Sequence, residues 1–369
     1  MSNNQPLRIM HMIDSLALGG AERVAVNLCN TLAEQDHQVH LCATRQLGPL
    51  LEFVSDKIAC FTINKKHILD LPAFWRLRTY VKQQRIQIIH AHSSSYLWAV
   101  LIKLLVVQKV SIYWHVHGGK QPDSIAKNLM IRVFSPFLNH VYCVNNHLLK
   151  WAKKHLYGSP SRITYLSNFP AKQKSSHTSI NLPGKIEHRI VCLANLRYPK
   201  NHTTLVMAME NILQHDKNAH LILVGADNQD DYSNKLKKLI NRMKLENHTH
   251  ILGQRTDAYT IIQQCAIGVL SSESEGLPLA LLEYGLAGLS VICTNVGECA
   301  EVLEHGKHGL LVPAKNPDAL ADAITQLLYN SALRKQLGAS FQKHVANTYS
   351  AETITKRVVA DYKALIGKH

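Results

Sequence analysis

The chain has 369 residues, 46% of them hydrophobic and 18% charged with no low-complexity segment, which excludes a disordered protein and, at this length, leads us to expect two domains rather than one. Its net charge of +15 is unevenly placed, with 21 Lys and Arg against 8 Asp and Glu in residues 1–180 and 20 against 18 in residues 181–369. The first half should therefore face an anionic partner, such as lipid headgroups, a phosphorylated substrate or a nucleic acid, with a solvated basic surface as the alternative.

The start, MSNNQPLRIMHMIDSLALGG, lacks a basic segment followed by an apolar one and reads as a buried strand rather than a signal peptide. A strand at 8–13, a glycine pair, an amphipathic helix at 21–35 and a strand at 38–44 make a βαβ unit. A helix follows at 71–85, then strand 86–92, helix 96–107, strand 110–117, helix 123–134, strand 140–144, helix 146–155 and strand 162–166. This order implies a mainly parallel sheet covered on both faces. The apolar run Tyr96–Val107 is too short to cross a bilayer and is interrupted by Lys103. In the helix at 74–85, aromatic and basic residues interleave, as they would on a membrane-facing or nucleic-acid-facing helix, or on an ordinary crossover helix with one apolar face. No recognised nucleic-acid module is visible.

From Asn168 the pattern lapses into a segment rich in Ser, Lys and Pro, read as a linker over 171–187. The rhythm then restarts, with strands at 189–195, 219–225, 249–253, 266–271 and 290–294 and helices at 201–214, 231–244, 257–264 and 278–287. The expected organisation is a first doubly wound domain over 1–170, a second over 188–349 and a terminal helix over 350–369 that returns to the first. Ligands of such folds bind at the C-terminal edges of the strands, which places the expected site in a central cleft between the domains. Eight cysteines stand singly with no C-x-x-C pair, as reduced core thiols of a cytosolic protein would.

In the stretch SSESEGLPLALLEYGLAG (271–288), Glu275 and Glu283 flank the start of a helix at a strand's C-terminal end. Backbone amides made accessible there by Gly276 attract phosphate or sugar oxygens, and Glu283 lies where a carboxylate can accept both ribose hydroxyls. Capping and ordinary solvation are the alternatives. The pairs His90/His92 and His115/His117 alternate along strands at a spacing zinc can use, yet no Cys or carboxylate lies nearby in a ligand pattern. Satisfied strand-end histidines are favoured there, and no metal site is assigned.

The stretch from Ser271 through HGKHGLLVP (305–313) resembles the E-x7-E signature of retaining glycosyltransferases of family 4, and weaker matches extend to the N-terminus. The resemblance implies the GT-B fold of two Rossmann-like domains and transfer of a sugar from a nucleotide-diphosphate sugar, UDP favoured and GDP the alternative, without a cofactor or metal. It makes Glu283 the ribose ligand, sets Glu275 against the sugar, and gives the backbone of Gly276, Leu277, Pro278 and Leu279 to the sugar and distal phosphate. The family's Arg and Lys on the diphosphate fall in ANLRYPKNH (194–202). Lys200 matches, Asn195 occupies the usual Arg place, and Arg197 stands two residues on as the substitute cation. Gly19 and Gly20 resemble the family's glycine-rich loop and, with Asn195 and with Gly225 at the end of the second strand of the donor domain, are implied to contact the donor, and His117 is implied near the transferred sugar.

The implied acceptor is a hydroxyl of a glycan or polyprenyl-linked glycan, handled in the cytoplasm at the inner face of a membrane. A nucleotide-sugar epimerase of the same fold and a non-catalytic binder of anionic surfaces are the alternatives.

Overall fold

The computed structural model describes residues 5–67, 70–105, 109–117, 125–170 and 180–366. The glycines after His117, the start of the helix expected at 123 and most of the expected 171–187 linker lie outside them. The chain divides into two units, residues 1–171 with 350–369, and residues 172–349.

In the first unit the strands are β1 (Arg8–Ser15), β2 (Gln38–Gln46), β3 (Ala59–Thr62), β4 (Ile88–His92), β5 (Ser111–Val116), β6 (His140–Cys143) and β7 (Ile163–Tyr165). They form one parallel sheet in the order β3-β2-β1-β4-β5-β6-β7. The helices are α1 (Gly20–Glu34), α2 (Leu71–Gln83), α3 (Tyr96–Leu105), α4 (Ile125–Phe134) and α5 (Asn146–His155). In the second unit β8 (Arg189–Leu193), β9 (His220–Val224), β10 (Thr249–Ile251), β11 (Ile267–Leu270), β12 (Ser290–Thr294) and β13 (Leu310–Val312) form a parallel sheet in the order β10-β9-β8-β11-β12-β13. Its helices are α6 (His202–His215), α7 (Asp231–Arg242), α8 (Ala258–Gln263), α9 (Leu279–Ala287), α10 (Cys299–Val302), α11 (Pro317–Tyr329) and α12 (Ser331–Thr348). The last helix, α13 (Ala351–Ile366), belongs to the first unit.

Three short elements, β3, α10 and β13, were not anticipated; a run of three or four residues shows little period of its own, and the equally short β6, β7, β10 and β11 were found through the longer expected strands that contain them. Helix α11 carries a start signal that the pattern reading passed over: Asn316 caps it by accepting from the Ala319 amide, and Pro317 stands in its first turn.

The two faces of the first sheet differ in kind. Side chains of a strand alternate, so Met10, Met12, Ile89, Ala91, Ile112, Trp114 and Val116 fall on one face and join the apolar core with α2 and α3. The residues between them, His11, His90, His92, Tyr113, His115 and His117, fall on the other, where α13 covers part of the sheet. Tyr362 of α13 is fully buried and pairs its hydroxyl with His90 Nδ1. Tyr113 donates to the Asp361 carbonyl and Tyr142 to the Asp361 carboxylate, both at 2.7 Å.

The imidazoles on this face are stacked, His11 on His90 at 4.8 Å and His90 on His92 at 4.7 Å between ring centres, and His115 lies 4.2 Å from His117. Burial disfavours the imidazolium form: it holds His11 and His117 at about 3 and drives His90, His92 and His115 well below the usual range, the neighbouring rings adding to the effect. These five rings are neutral in the folded protein at neutral pH, whereas in the unfolded chain they take up protons below about 6.5. Stability is therefore fully present above pH 6.5 and is lost as pH falls from there toward about 3, each ring contributing up to about 1.4 kcal/mol per pH unit.

All four tryptophans, Trp75, Trp98, Trp114 and Trp151, lie in this unit, so their fluorescence reports its unfolding. The urea midpoint followed by tryptophan emission should drop steeply between pH 7 and pH 5, and a midpoint that stays level would mean that the rings are not held neutral.

Candidate active site

Strand order reverses between β1 and β4 in the first sheet and between β8 and β11 in the second. At such a reversal neighbouring strands send their following loops to opposite faces, leaving a ligand-sized opening at their C-terminal ends. The loops after β8 (194–201) and β11 (271–278) meet there. The Glu273 amide donates to the Pro199 carbonyl at 2.8 Å, and Ser271 Oγ donates to the Lys200 carbonyl at 3.2 Å.

This backbone contact brings Lys200 and Glu275 together. Lys200 Nζ stands 2.6 Å from Glu275 Oε1, and Ser272 Oγ donates to the same oxygen at 2.6 Å. The Glu275 side chain is 8% exposed and that of Lys200 22%, so the pair is mostly withdrawn from water and removal of one partner strands the other. Both residues were expected to contact the donor, but their contact with each other is a feature of the fold.

Glu283 is buried within α9. That helix starts at Leu279, one residue after the expected start, with Pro278 as its N-cap, and among the described residues no side chain caps its first amides. Its positive end is thus available to an anion. Leu277 and Pro278 are buried, while Gly276 and Leu279 are half-buried. Asn195 Oδ1 accepts from the Ala226 amide at 3.0 Å, and a Cβ on Gly225 would lie 2.1 Å from the Ala194 carbonyl oxygen. Asn195 and Gly225 therefore join the loops after β8 and β9, a packing role that the expectation of direct donor contact did not include. Arg197 is exposed on the same loop as Lys200 and makes no ion pair among the described residues.

Three residues absent from the expected set support Glu275. Ser272 bonds its carboxylate, and Thr294 Oγ1 donates to the Ser272 carbonyl at 2.6 Å. Gly297, in the left-handed region at φ 58°, lets the loop after β12 pass so close that a Cβ there would stand 2.1 Å from the Glu275 carbonyl oxygen. The serine lies three positions before the glutamate and could have been read from the sequence. Gly297 requires the tertiary contact.

In the first unit Gly19 is the N-cap of α1 and Gly20 its first residue, with open space where a side chain on Gly20 would project. Asp14, at the end of β1, was not expected to matter, yet it accepts from Ser94 Oγ at 2.5 Å, Thr44 Oγ1 at 2.7 Å and Lys65 Nζ at 3.1 Å. Burial raises its pKa, but these hydrogen bonds and the lysine charge outweigh that and lower it. It ties the end of β1 to β2 and to the segments after β3 and β4.

His117 is half-buried just past β5, its Nε2 2.9 Å from His92 Nδ1. Nitrogens of His90, His92 and His115 lie within 4.8 Å of one another, close enough for a metal cluster. Parallel stacking, 10° between His90 and His92, instead sets their lone pairs side by side, and five of the six nitrogens of the three rings are engaged in hydrogen bonds with neighbouring rings or the Tyr362 hydroxyl, His115 Nε2 alone having no partner among the described residues.

Because the Gly297 contact is with backbone, Gly297→Ala should force the Glu275 loop outward. A loss of about 1–3 kcal/mol corresponds to a fall of several degrees in Tm. A scanning-fluorimetry midpoint equal to that of the unaltered protein would show that the loops are not so tightly apposed.

Residues 175–344 match the family described as glycosyl transferases group 1, and residues 18–169 match glycosyltransferase family 4. The chain is 23% identical over 370 residues to the N-acetyl-alpha-D-glucosaminyl L-malate synthase of Bacillus anthracis, covering 95% of this chain and 94% of that one. It is 23% identical over 356 residues to the UDP-Gal:alpha-D-GlcNAc-diphosphoundecaprenol alpha-1,3-galactosyltransferase of Escherichia coli, covering 90% of each. Among solved structures it resembles Anabaena HepE, crystallised with UDP and glucose, with a TM-score of 0.78 at 16% identity over 97% of this chain and 100% of that one. The two family matches together span nearly the whole chain, each on one of the two parallel-sheet units, and the fold is GT-B. The protein belongs to glycosyltransferase family 4.

Proposed function

We propose that this glycosyltransferase moves a sugar, with retention of anomeric configuration, from a nucleotide-diphosphate sugar to a hydroxyl of a glycan or lipid-linked glycan in the synthesis of a cell-surface polysaccharide or lipopolysaccharide. The observation that carries this reading is the Lys200–Glu275 pair beside the uncapped start of α9, with Glu283 buried in the same helix. A cation, a helix N-terminus and two carboxylates are the groups that a diphosphate, a sugar and a ribose require. UDP is the favoured nucleotide, since the Escherichia coli relative is named for UDP-Gal and the Anabaena protein was crystallised with UDP.

In this reading Glu283 accepts the ribose hydroxyls, while the α9 amides and Lys200, with Arg197 as second cation, hold the diphosphate. On donor binding Lys200 exchanges part of its contact with Glu275 for phosphate oxygens, which leaves Glu275 to face the sugar. The bond from the anomeric carbon to the phosphate oxygen breaks through an oxocarbenium-like state. That departing oxygen takes the acceptor proton as the new glycosidic bond forms on the same face. Positive charge from side chains and helix stabilises the leaving group without a metal. His117 of the first unit contacts the transferred sugar. No observation favours the epimerase or the non-catalytic binder.

The basic first unit offers a surface for the acceptor's membrane. Arg78 Nε donates to the Leu105 carbonyl at 3.0 Å and the guanidinium carbon Cζ lies 5.0 Å from the centre of the Trp75 ring, so the exposed Trp75, Leu104 and Leu105 share a surface with a cation. Apolar side chains beside basic ones suit the interface of an anionic bilayer. No described helix is long and apolar enough to cross one.

Three outcomes follow. Glu283→Gln should weaken UDP binding by about tenfold or more in calorimetry. Lys200→Ala should lower kcat by about 100-fold or more while circular dichroism stays native; kinetics unchanged in either variant would remove that residue's role. The protein should sediment with phosphatidylglycerol vesicles and much less with phosphatidylcholine, and Trp75→Ala should reduce the first, whereas equal sedimentation with both would rule out charge-guided membrane contact.

A further inference from the structure

Two buried histidines and the half-buried His117 form a single hydrogen-bonded chain that ends at His117. His11 Nδ1 lies 3.0 Å from His92 Nε2, and His92 Nδ1 lies 2.9 Å from His117 Nε2. His92 is thus held through both of its nitrogens. The outer nitrogen of the first ring, His11 Nε2, is buried without a hydrogen-bond partner among the described residues. His11 and His92 are fully buried, and no carboxylate is bonded to any of the three rings among the described contacts.

Three neutral imidazoles carry three N–H hydrogens, and each of the two N···N contacts uses one. His92 has a single hydrogen, so it donates in one direction and accepts in the other. Only two arrangements satisfy both contacts. In the first, His11 Nδ1–H donates to His92 Nε2, His92 Nδ1–H donates to His117 Nε2, and His117 keeps its hydrogen on Nδ1. In the second every donor is reversed, and the third hydrogen lies on His11 Nε2. That arrangement buries an N–H with no acceptor, among the rarest defects of a folded interior. The first leaves only an unpaired lone pair at the same atom, which is the smaller penalty.

We propose that His11 and His92 are positioning residues that hold His117 as its Nδ1–H tautomer, so that His117 presents a hydrogen-bond donor and not a base to the sugar. This rests on the reading that His117 contacts the transferred sugar, but the tautomer itself does not. The chain has a direction set at its buried end, and His117 cannot become an acceptor at Nδ1 without moving a hydrogen to His11 Nε2. A fixed donor there matches an oxygen of a sugar, and leaves removal of the acceptor proton to another group.

The test is nitrogen NMR of the full-length protein with 15N-labelled histidine, the His117 signals identified by their loss in His117→Gln. In the unaltered protein, His117 should show a protonated Nδ1 and an unprotonated, hydrogen-bonded Nε2. His92→Phe keeps a stacked ring but removes both bonds, and should shift His117 toward the Nε2–H form. His92→Asn places an amide N–H near the position of Nδ1 and should restore the Nδ1–H form. Sugar transfer should follow the tautomer, with kcat down about tenfold in His92→Phe and recovered several-fold in His92→Asn, at little change in the donor KM.

A protonated Nε2 on His117 in the unaltered protein overturns the proposal by itself, whether or not His92→Phe folds. So does an unchanged His117 tautomer in a folded His92→Phe. If the spectra behave as expected while kcat is the same in all three proteins, the tautomer control stands and the assignment of His117 to the sugar fails.

Discussion

A doubly wound parallel sheet must reverse the direction in which strands are added, and in the second unit the chemistry gathers where it does so. The loops after β8 and β11 are neighbours only because those strands pair across the reversal. That adjacency sets Lys200 against Glu275, residues 75 positions apart in the chain. The backbone bond from Glu273 to Pro199 fixes the loops before any side chain is considered, and the close passage of Gly297 behind Glu275 prevents the loop from retreating. The charged pair is therefore held by backbone geometry, the more rigid kind of support for groups that must meet a ligand in a fixed place.

The first unit solves a different problem. A parallel sheet buried on both faces normally has apolar residues on each, yet here one face of β1, β4 and β5 carries imidazoles and phenols. They are tolerated because they are neutral and bond to one another and to the tyrosines and Asp361 at the sheet and α13. The same arrangement makes the unit depend on a helix that the chain reaches only after completing the other unit. Asp14 plays a comparable part at the strand ends, where one carboxylate takes hydrogen bonds from Thr44 of β2 and from the segments after β3 and β4.

Much of the fold was legible because each parallel strand is an apolar run bounded by turn residues, and each crossover helix has an apolar stripe. The strands at 8–13, 189–195 and 290–294 fall on β1, β8 and β12 to within a few residues at each end. The equally short β6, β7, β10 and β11 were legible too, but β3, α10 and β13 were not, since they owe their form to neighbours and not to their own pattern. Within the site, Glu275, Glu283 and Lys200 stood out by motif, whereas Ser272, Thr294 and Gly297 matter only through what they touch.

The histidines show where the division lies. Alternation in HAH and HVH placed each pair on one strand face, as any period-two pattern must. Whether those faces met in a metal cluster or in a hydrogen-bonded chain depended on ring orientation, on the register between β1, β4 and β5, and on His11 from a strand with no such motif. The sequence by itself determined the two parallel sheets, the basic first half and the family signature, because these follow from local periodicity, composition and spacing. Tertiary structure alone decided that Lys200 lies against Glu275 and that His117 ends a chain of imidazoles, because both are contacts between segments far apart in the chain, set by strand order and register.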